Sequence, residues 1–595
     1  MISATKAFLL PVAIDDTPDD DEQVPDRFRE LQWTRLPAGE TPPTFVVRVG
    51  QLLSSQLSAA TLPRTSAVSG AIPAVGQTVP SSLWINPLGL ALLVVFVAAL
   101  AYFLAGKFWI SKRVAMSQSL TTSAPAGAAA TTAVPFRPPP HSIAVLPFIN
   151  LSGDKEQEYF SDGLTEELLN SLAEINGLQV AARTSAFSFK GTNTDIGTIA
   201  RKLNVGAVLE GSVRRSAHTI RITAQFINAV TGFHLWSKTY DRDLGDVLKL
   251  QTEIATAVAS ALKVTLLGDV AAKVELGGTR NPAAFDAYLR GAKTYSSFRD
   301  TKDLPAAIAA YTEAIRLDPH YALAFASRSF ALSDVAAEAD TPVAVREGFA
   351  KAQADARQAL ALAPDLAQAH LALAAVSEDG TLDFTQAGEA YERALALAPG
   401  NAEVLRRSGA FAAYMGHFDA ALAATRRAVV LDPLARSSHT LLGQALYFAR
   451  RYEEAVAAFA EVISLEPNYN ATYDDRGFAY YGLGDLESAR ASCETKPDYW
   501  RSQWCLAVTY DKLGRHADAE AELAKLKGAL GDAAAYQNAT IYAQWGNRAK
   551  ALDWLATALR LRDPGLENLK TDPLLDPLRK ELRFQVIERE LKFPS

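Results

Sequence analysis

The feature that most constrains this chain is a period. Pro399, Pro433 and Pro467 stand 34 residues apart, as do Gly409, Gly443 and Gly477, and again Ala421, Ala455 and Ala489. Three residue types sharing one period and one phase require a stack of similar supersecondary units. In each unit the glycine marks where a first helix crosses a second. The alanine, with an aromatic or apolar residue four positions later, lies on the second helix, and the proline stands where that helix must stop. Ala455, Phe459, Val462 and Pro467 show the pattern, as do Ala387, Tyr391, Ala394 and Pro399, and Ala307, Tyr311, Ala314 and Pro319. Pro319 to Pro364 is 45 residues, 11 more than the period, which places an insertion around Ala336 to Pro342. After Pro467 the phase slips. Ala507, Tyr510, Gly514 and Ala519 mark a further unit, and Tyr542, Gly546, Ala551 and Ala558 a later one.

This pattern is similar to tetratricopeptide repeats, about eight of them over residues 280–570, with TDPLLDPLRKELRF in a capping segment at 571–595. The resemblance implies an all-α solenoid whose concave face, lined by the first helices, binds a protein or peptide partner. Arg406, Arg407, Gln444, Arg476 and Tyr480 lie on first helices and are the candidates to face that groove. The competing reading for them is a solvated polar surface.

A second constraint is the run Leu88 to Ala105, eighteen residues without a charge. At about 1.5 Å rise per residue, this run and its apolar shoulders reach the roughly 30 Å of a bilayer's hydrocarbon core. It reads as one transmembrane helix, within residues 84–110, in contact with the lipid bilayer. Trp84 on one side and Tyr102, Phe108 and Trp109 on the other suit the headgroup boundary, and Lys107, Lys112 and Arg113 close the far end. Residues 54–83 read as a flexible tether, and residues 111–141, rich in Pro, Ala and Ser, as a linker.

Between linker and repeats, residues 142–266 read as an α/β domain with helices packed on a mixed sheet. Ile143 to Phe148 is a buried strand, followed by a helix starting near Ser161 or Asp162 with the stripe Leu164, Leu168, Leu172 and Ile175. A strand over 178–182 and a helix over 196–203 precede three strands, of which Ile220, Ile222, Ala224 and Phe226 alternate with polar residues. Glu166 and Glu167 then fall in a helix's first turn, where acidic side chains favour the dipole. Arg183 with Thr184, or Glu210 with Arg214, are candidates for a small polar site, with surface ion pairs as the commoner outcome. Trp236 and Tyr240 share a strand face and read as core or sheet cover. The segments IAVLPF, EYFSDGLTEELLNSLAEI, ARTSAFSFKG, VLEGSVRR and HLWSKTYDR are similar to the TolB-like amino-terminal domain of bacterial membrane signalling proteins. The resemblance implies a place between a membrane anchor and tetratricopeptide repeats, and no reaction.

At the amino terminus, FLLPVAIDDT followed by VPDRFRELQWTRLPAGETPPTFVVRVGQLL resembles the last strand and helix of a bacterial Toll/interleukin receptor (TIR) domain, as a partial fragment over residues 1–53. In that family the chemistry is cleavage of NAD by a glutamate upstream of this segment. The chain has no counterpart of that glutamate, so no catalytic residue is carried over.

The rest of the sequence argues against chemistry. A formal net charge of −7 calls for no nucleic-acid partner. The histidines form no HExxH pair, and no GxxxxGK[ST], GxGxxG or GxSxG spacing occurs, so no catalytic centre, metal site or cofactor is expected. Cys493 and Cys505 lie in helical sequence, and small buried thiols are preferred over a disulfide. The expectation is a multidomain, single-pass protein of the bacterial inner membrane, acting as a signalling adaptor. The alternatives are a TIR-type NAD-cleaving enzyme whose catalytic half is missing, or a structural scaffold for envelope assembly. The positive-inside rule puts the repeats in the cytoplasm, whereas the architectural resemblance puts them outside; the reading adopted is periplasmic.

Overall fold

The computed structural model describes Val12–Ala13, Thr34–Arg35 and residues 136–594 apart from 176, 217, 244–245, 264–275, 298–300 and 340–341. The chain divides into two compact units, residues 1–129 and 130–595. In the first, β1 (Val12–Ala13) pairs in parallel with β2 (Thr34–Arg35), Val12 opposite Thr34. The last helix of the TIR-like segment and the apolar run Leu88 to Ala105 lie outside the described residues. Among the described residues no helix is long and apolar enough to cross a membrane.

The second unit begins with β3 (Ser142–Val145), β4 (Ile149–Asn150), α1 (Glu158–Ala173), β5 (Gln179–Val180), α2 (Arg183–Phe187) and α3 (Ile196–Leu203). There follow β6 (Ala207–Arg215), β7 (Thr219–Asn228), β8 (His234–Asp243) and α4 (Val247–Ala261). The sheet runs β5-β3-β6-β7-β8 and is mixed, with β3 parallel to β5 and β6, and β7 antiparallel to both its neighbours. Period-two burial works as the sequence requires: Ile220, Ile222, Ala224 and Phe226 are buried while Thr219 and Arg221 face out. Ile143, Val145 and Leu209 pack with the apolar faces of α1 and α4, and Ala144, Val208 and Ala181 with α3 on the other side. Tyr240 is buried and Trp236 packs on Phe226 with ring centroids 6.0 Å apart.

Helix α1 departs from expectation. It starts at Glu158, after a short turn (Lys155–Gln157) that Asp154 caps by accepting from the Glu156 amide at 2.9 Å. Asp154 meets the free N–H groups, so Ser161 and Asp162 lie buried inside the helix, where Lys190 and Lys293 pair with Asp162 at 2.5 and 3.0 Å. Glu166 and Glu167 are therefore mid-helix, away from the positive end of the dipole.

From α5 (Pro282–Ser297) and α6 (Leu304–Leu317) onward, helices pair in antiparallel hairpins: α7 (Ala322–Ala337) with α8 (Pro342–Leu362), α9 (Ala367–Ala375) with α10 (Phe384–Leu397), and α11 (Ala402–Tyr414) with α12 (Phe418–Leu431). Next come α13 (Arg436–Phe448) with α14 (Tyr452–Leu465), α15 (Ala471–Leu483) with α16 (Leu486–Cys493), α17 (Trp500–Lys512) with α18 (His516–Leu530), and α19 (Ala535–Gln544) with α20 (Arg548–Leu561). The periodic glycines are contact points. A Cβ on Gly443 would stand 2.5 Å from the Phe459 ring, and one on Gly409 2.8 Å from Thr425 Cγ2. The added length after Pro319 lies in the helices: α8 has 21 residues where α10, α12 and α14 have 14. Cys493 and Cys505 form a disulfide between α16 and α17, with Cα atoms 6.1 Å apart, rather than two free thiols. The repeat-to-repeat crossing at Gly477 brings both sulfurs to one point. Beyond α20 come two short turns, Pro564–Asn568 and Pro573–Leu578, and α21 (Leu582–Glu590).

Candidate interaction groove

The first helices of the repeats line the inner face of the solenoid, and the chain itself fills much of that face. At the amino-terminal end the filler is α1. Its Gly163 lies so close to α5 that a Cβ would stand 2.7 Å from Leu289 Cδ2. Tyr288 donates to Glu167 at 3.1 Å, Tyr159 donates to Asp286 at 2.6 Å, and Arg215 reaches the same carboxylate at 2.5 Å. Arg183 pairs with Glu166 at 2.6 Å and donates to Ser296 at 3.0 Å, so the polar residue next to Thr184 is a link between α2, α1 and α5.

Farther along, α2 docks on the turn after α12. Asp432 accepts from the Ser185 amide at 2.9 Å and from its hydroxyl at 2.6 Å. The Leu434 amide donates to that same hydroxyl oxygen, and the Ala182 amide donates to the Leu431 carbonyl at 2.8 Å. A cavity of about 150 Å³ remains between α1 and the repeats, bordered by Glu166, Glu167, Tyr288, Phe330, Gln368 and Glu403. Burial lifts Glu167 to about 8, with the neighbouring Glu166 charge adding to it and the Tyr288 hydroxyl opposing.

The carboxyl-terminal half of the inner face holds a second cavity of about 150 Å³, rich in aromatic rings, among them Tyr414, Tyr447, Phe478, Trp504 and Tyr536. Its polar members are Gln444, Asp475, which pairs with Arg501, and the carboxyls Glu567 and Asp572. One wall is the segment that follows α20. Leu566, Leu569, Leu574, Leu575 and Leu578 are buried there, Tyr536 donates to Asp572 at 2.8 Å, and Gln544 donates to the Leu574 carbonyl at 2.6 Å. Arg450 grips Asp576 with two bonds of 2.9 and 3.1 Å and the Thr571 carbonyl at 2.8 Å. At its far end Phe593 stacks on Phe384, centroids 4.8 Å apart.

The five residues expected to face the groove are dispersed. Arg406 and Arg407 share Glu403, at 3.6 and 3.1 Å, and Arg407 lies over the Phe330 ring, in the part of the groove that α1 covers. Gln444 lines the second cavity, 3.5 Å from Asp475. Arg476 turns to α16 and donates to Ser492 at 3.0 Å, while its neighbour Asp475 enters the cavity. Tyr480 is half-buried, and from its helix Asp475 and Phe478 line the cavity. Asp475, Arg501, Trp504 and Tyr536 were missed. Stepping Arg407 forward by two periods and Gln444 by one leads to Asp475 and Phe478.

Among the described residues no group of three or more His, Cys, Asp or Glu side chains is placed to hold a metal ion. Residues 412–470 match the family model described as tetratricopeptide repeat. The chain is similar to a protein of Rhizobium meliloti (strain 1021) named putative adenylate cyclase 3, 42% identical over 203 residues, 33% of this chain and 34% of that one. It is also similar to a small glutamine-rich tetratricopeptide repeat-containing protein 2 of Mycosarcoma maydis, 30% identical over 86 residues, 14% of this chain and 24% of that one. The chain thus spans about a third and about a quarter of these relatives. Among solved structures, Pseudomonas aeruginosa pilF is 21% identical at a TM-score of 0.27, over 34% of this chain and 93% of that one. YrrB, a TPR protein with an unusual peptide-binding site, is 20% identical at a TM-score of 0.26, over 36% and 99%. With its paired helices and this family match, the carboxyl-terminal region of the chain is an all-α solenoid of the tetratricopeptide-repeat type.

Proposed function

We propose that this protein is a membrane-anchored signalling adaptor that binds a protein partner through its repeat solenoid and performs no chemistry of its own. The observation that carries the reading is the grip on residues 571–576. Arg450 and Gln544 hold the Thr571 and Leu574 carbonyls of a tightly turned segment, so side chains of this face already bind main chain that does not belong to the repeats. Residues 88–105 supply the anchor, residues 142–266 a TolB-like domain, and residues 1–53 a TIR-like segment. The solenoid stands in the periplasm, where the Cys493–Cys505 disulfide suits an oxidising compartment. The likeness to a protein named a putative adenylate cyclase covers a third of each chain, and we read it as a shared regulatory part with cyclase chemistry left to that relative.

The test places a photo-crosslinking residue at Gln444, in the groove, or at Phe233, on the exposed turn between β7 and β8. One protein, recovered reciprocally from cells when it carries the tag instead, is expected from one of the two positions; none from either overturns the adaptor reading. Digestion of the repeats in spheroplasts with a sealed inner membrane is expected, and protection would move them to the cytoplasm.

A further inference from the structure

The segment after α20 meets the solenoid in a way that ordinary capping does not require. In the turns between paired helices from α9 to α20, one residue takes a left-handed conformation. It is glycine at Gly416, Gly484, Gly514 and Gly546, with φ between 77° and 81°. Leu382 fills one turn and is buried in the core. In the turn between α13 and α14 the residue is Arg450, at φ 61°, a conformation that side chains other than glycine rarely adopt. Its guanidinium binds Asp576 by both oxygens and the Thr571 carbonyl. A strained backbone position whose side chain is committed to one contact points to a role for that contact.

The segment also carries a misfit. Glu567 is set against Glu378 and Asp379 at the end of α9, with Tyr391 donating to Glu378 at 2.6 Å, Arg407 facing both of those carboxyls, Tyr414 beside the group and Asp563 on its own turn. Burial first, and then the Glu378 and Asp379 charges, push the Glu567 carboxyl well above the usual range. Elsewhere in the segment the buried carboxyls have hydrogen-bond donors: Asp563 accepts from the Tyr536 amide at 3.0 Å and Asp572 from the Tyr536 hydroxyl, and the five leucines are buried.

We propose that the groove of the last repeats recognises a segment of another protein, rich in Asp and Leu and folded by proline into short turns, and that residues 563–579, two such turns, hold the place of that ligand in the resting chain. The inference rests on the reading of the solenoid as a protein-binding surface and names the chemistry of what it binds. A foreign segment that keeps the Asp576 and Asp572 equivalents and replaces Glu567 with a neutral residue fits better than the resident one. Such a ligand competes against the tethered resident segment better than a free copy of that segment does.

The probe is a fluorescent synthetic peptide of residues 563–594, used with the full chain. A Leu575→Asp, Asp576→Lys double variant puts a charge where Leu575 is buried and a cation against Arg450 and Arg579, expelling the resident segment with the groove residues intact. The peptide is expected to bind this variant at least tenfold more tightly than the unaltered chain, and a Glu567→Gln peptide more tightly again. Adding Arg450→Ala to the chain is expected to abolish the gain. A helical, monomeric double variant that binds no better overturns the proposal. Should the double variant fail to fold, hydrogen exchange of the unaltered protein decides. Amides of 563–578 are expected to open at least a hundredfold more often than those of α17 and α19, and equal protection overturns the proposal. An adaptor whose partner docks elsewhere would still crosslink from Phe233 while failing here, so the two readings fail separately.

Discussion

Removing one carboxylate should loosen α2 from the turn after α12. Asp432 is 7% exposed and accepts from both the amide and the hydroxyl of Ser185, which is fully buried and lies 247 residues away in sequence. In Asp432→Ala both donors lose their acceptor in a site closed to water, at about 1–3 kcal/mol each. The hydroxyl still accepts from the Leu434 amide, and the Ala182 to Leu431 backbone bond is untouched, so part of the interface survives. A net loss of about 3 kcal/mol is expected, within the range of buried hydrogen-bond deletions. Asp432→Asn keeps one acceptor oxygen and should lose about 1 kcal/mol. Urea unfolding of the three proteins gives the totals, and hydrogen exchange at the Ser185 amide locates them. If Asp432→Ala lies within about 0.5 kcal/mol of the parent, or Ser185 stays equally protected, Asp432 does not hold α2 on the repeats.

Other expectations follow from single residues. The folded-state pKa of Glu167 is raised to about 8 from 4.5, so its contribution to stability is complete below pH 4.5 and is lost as pH rises towards 8. Glu167→Gln should flatten that window in denaturant melts and stabilise the protein at pH 8 by about 1–3 kcal/mol, the full linkage value being reduced because the side chain is only partly buried. Gly443→Ala drives a methyl into the Phe459 ring and should cost about 1–3 kcal/mol, whereas Gly528→Ala, in α18 with open space around it, should gain about 0.5–1 kcal/mol. A thermal melt that ranks the two alanines the other way would contradict the packing described for the repeats. Cys493→Ser should lower stability by about 2–3 kcal/mol under non-reducing conditions and by little in dithiothreitol. A thiol titration of the unfolded, unreduced protein should find no free sulfhydryl.

The repeat pattern was legible because each repeated residue has a local, steric task. Gly443 must pass Phe459, and Pro433 must end α12, whatever the rest of the chain does. The groove was less legible because facing the groove depends on phase. Arg407 and Asp475 are two periods apart and Gln444 and Phe478 one, whereas Arg476 shares its phase with Leu442, and Tyr480 with Leu446, which is buried in the core. Selecting polar residues on first helices mixed phases that point in different directions. The disulfide was missed for a related reason: Cys493 and Cys505 belong to different repeats, and only the crossing near Gly477 brings them together.

Helix α1 shows how much a sequence stripe leaves open. Leu164, Leu168 and Leu172 mark the face against the sheet, and amphipathicity then assigns Glu166, Glu167 and Asn170 to water. They border a partly open cavity against the repeats instead, half-buried, with Tyr288 a partner of Glu167 and Arg183 of Glu166, because polar side chains tolerate burial once their hydrogen bonds are met. An empty solenoid would leave its first-helix side chains to solvent. Here α1 covers them at one end and residues 563–578 at the other, through packed apolar side chains and through polar contacts to buried or half-buried partners. Such contacts cost little to exchange for equivalent ones and much to leave unmade.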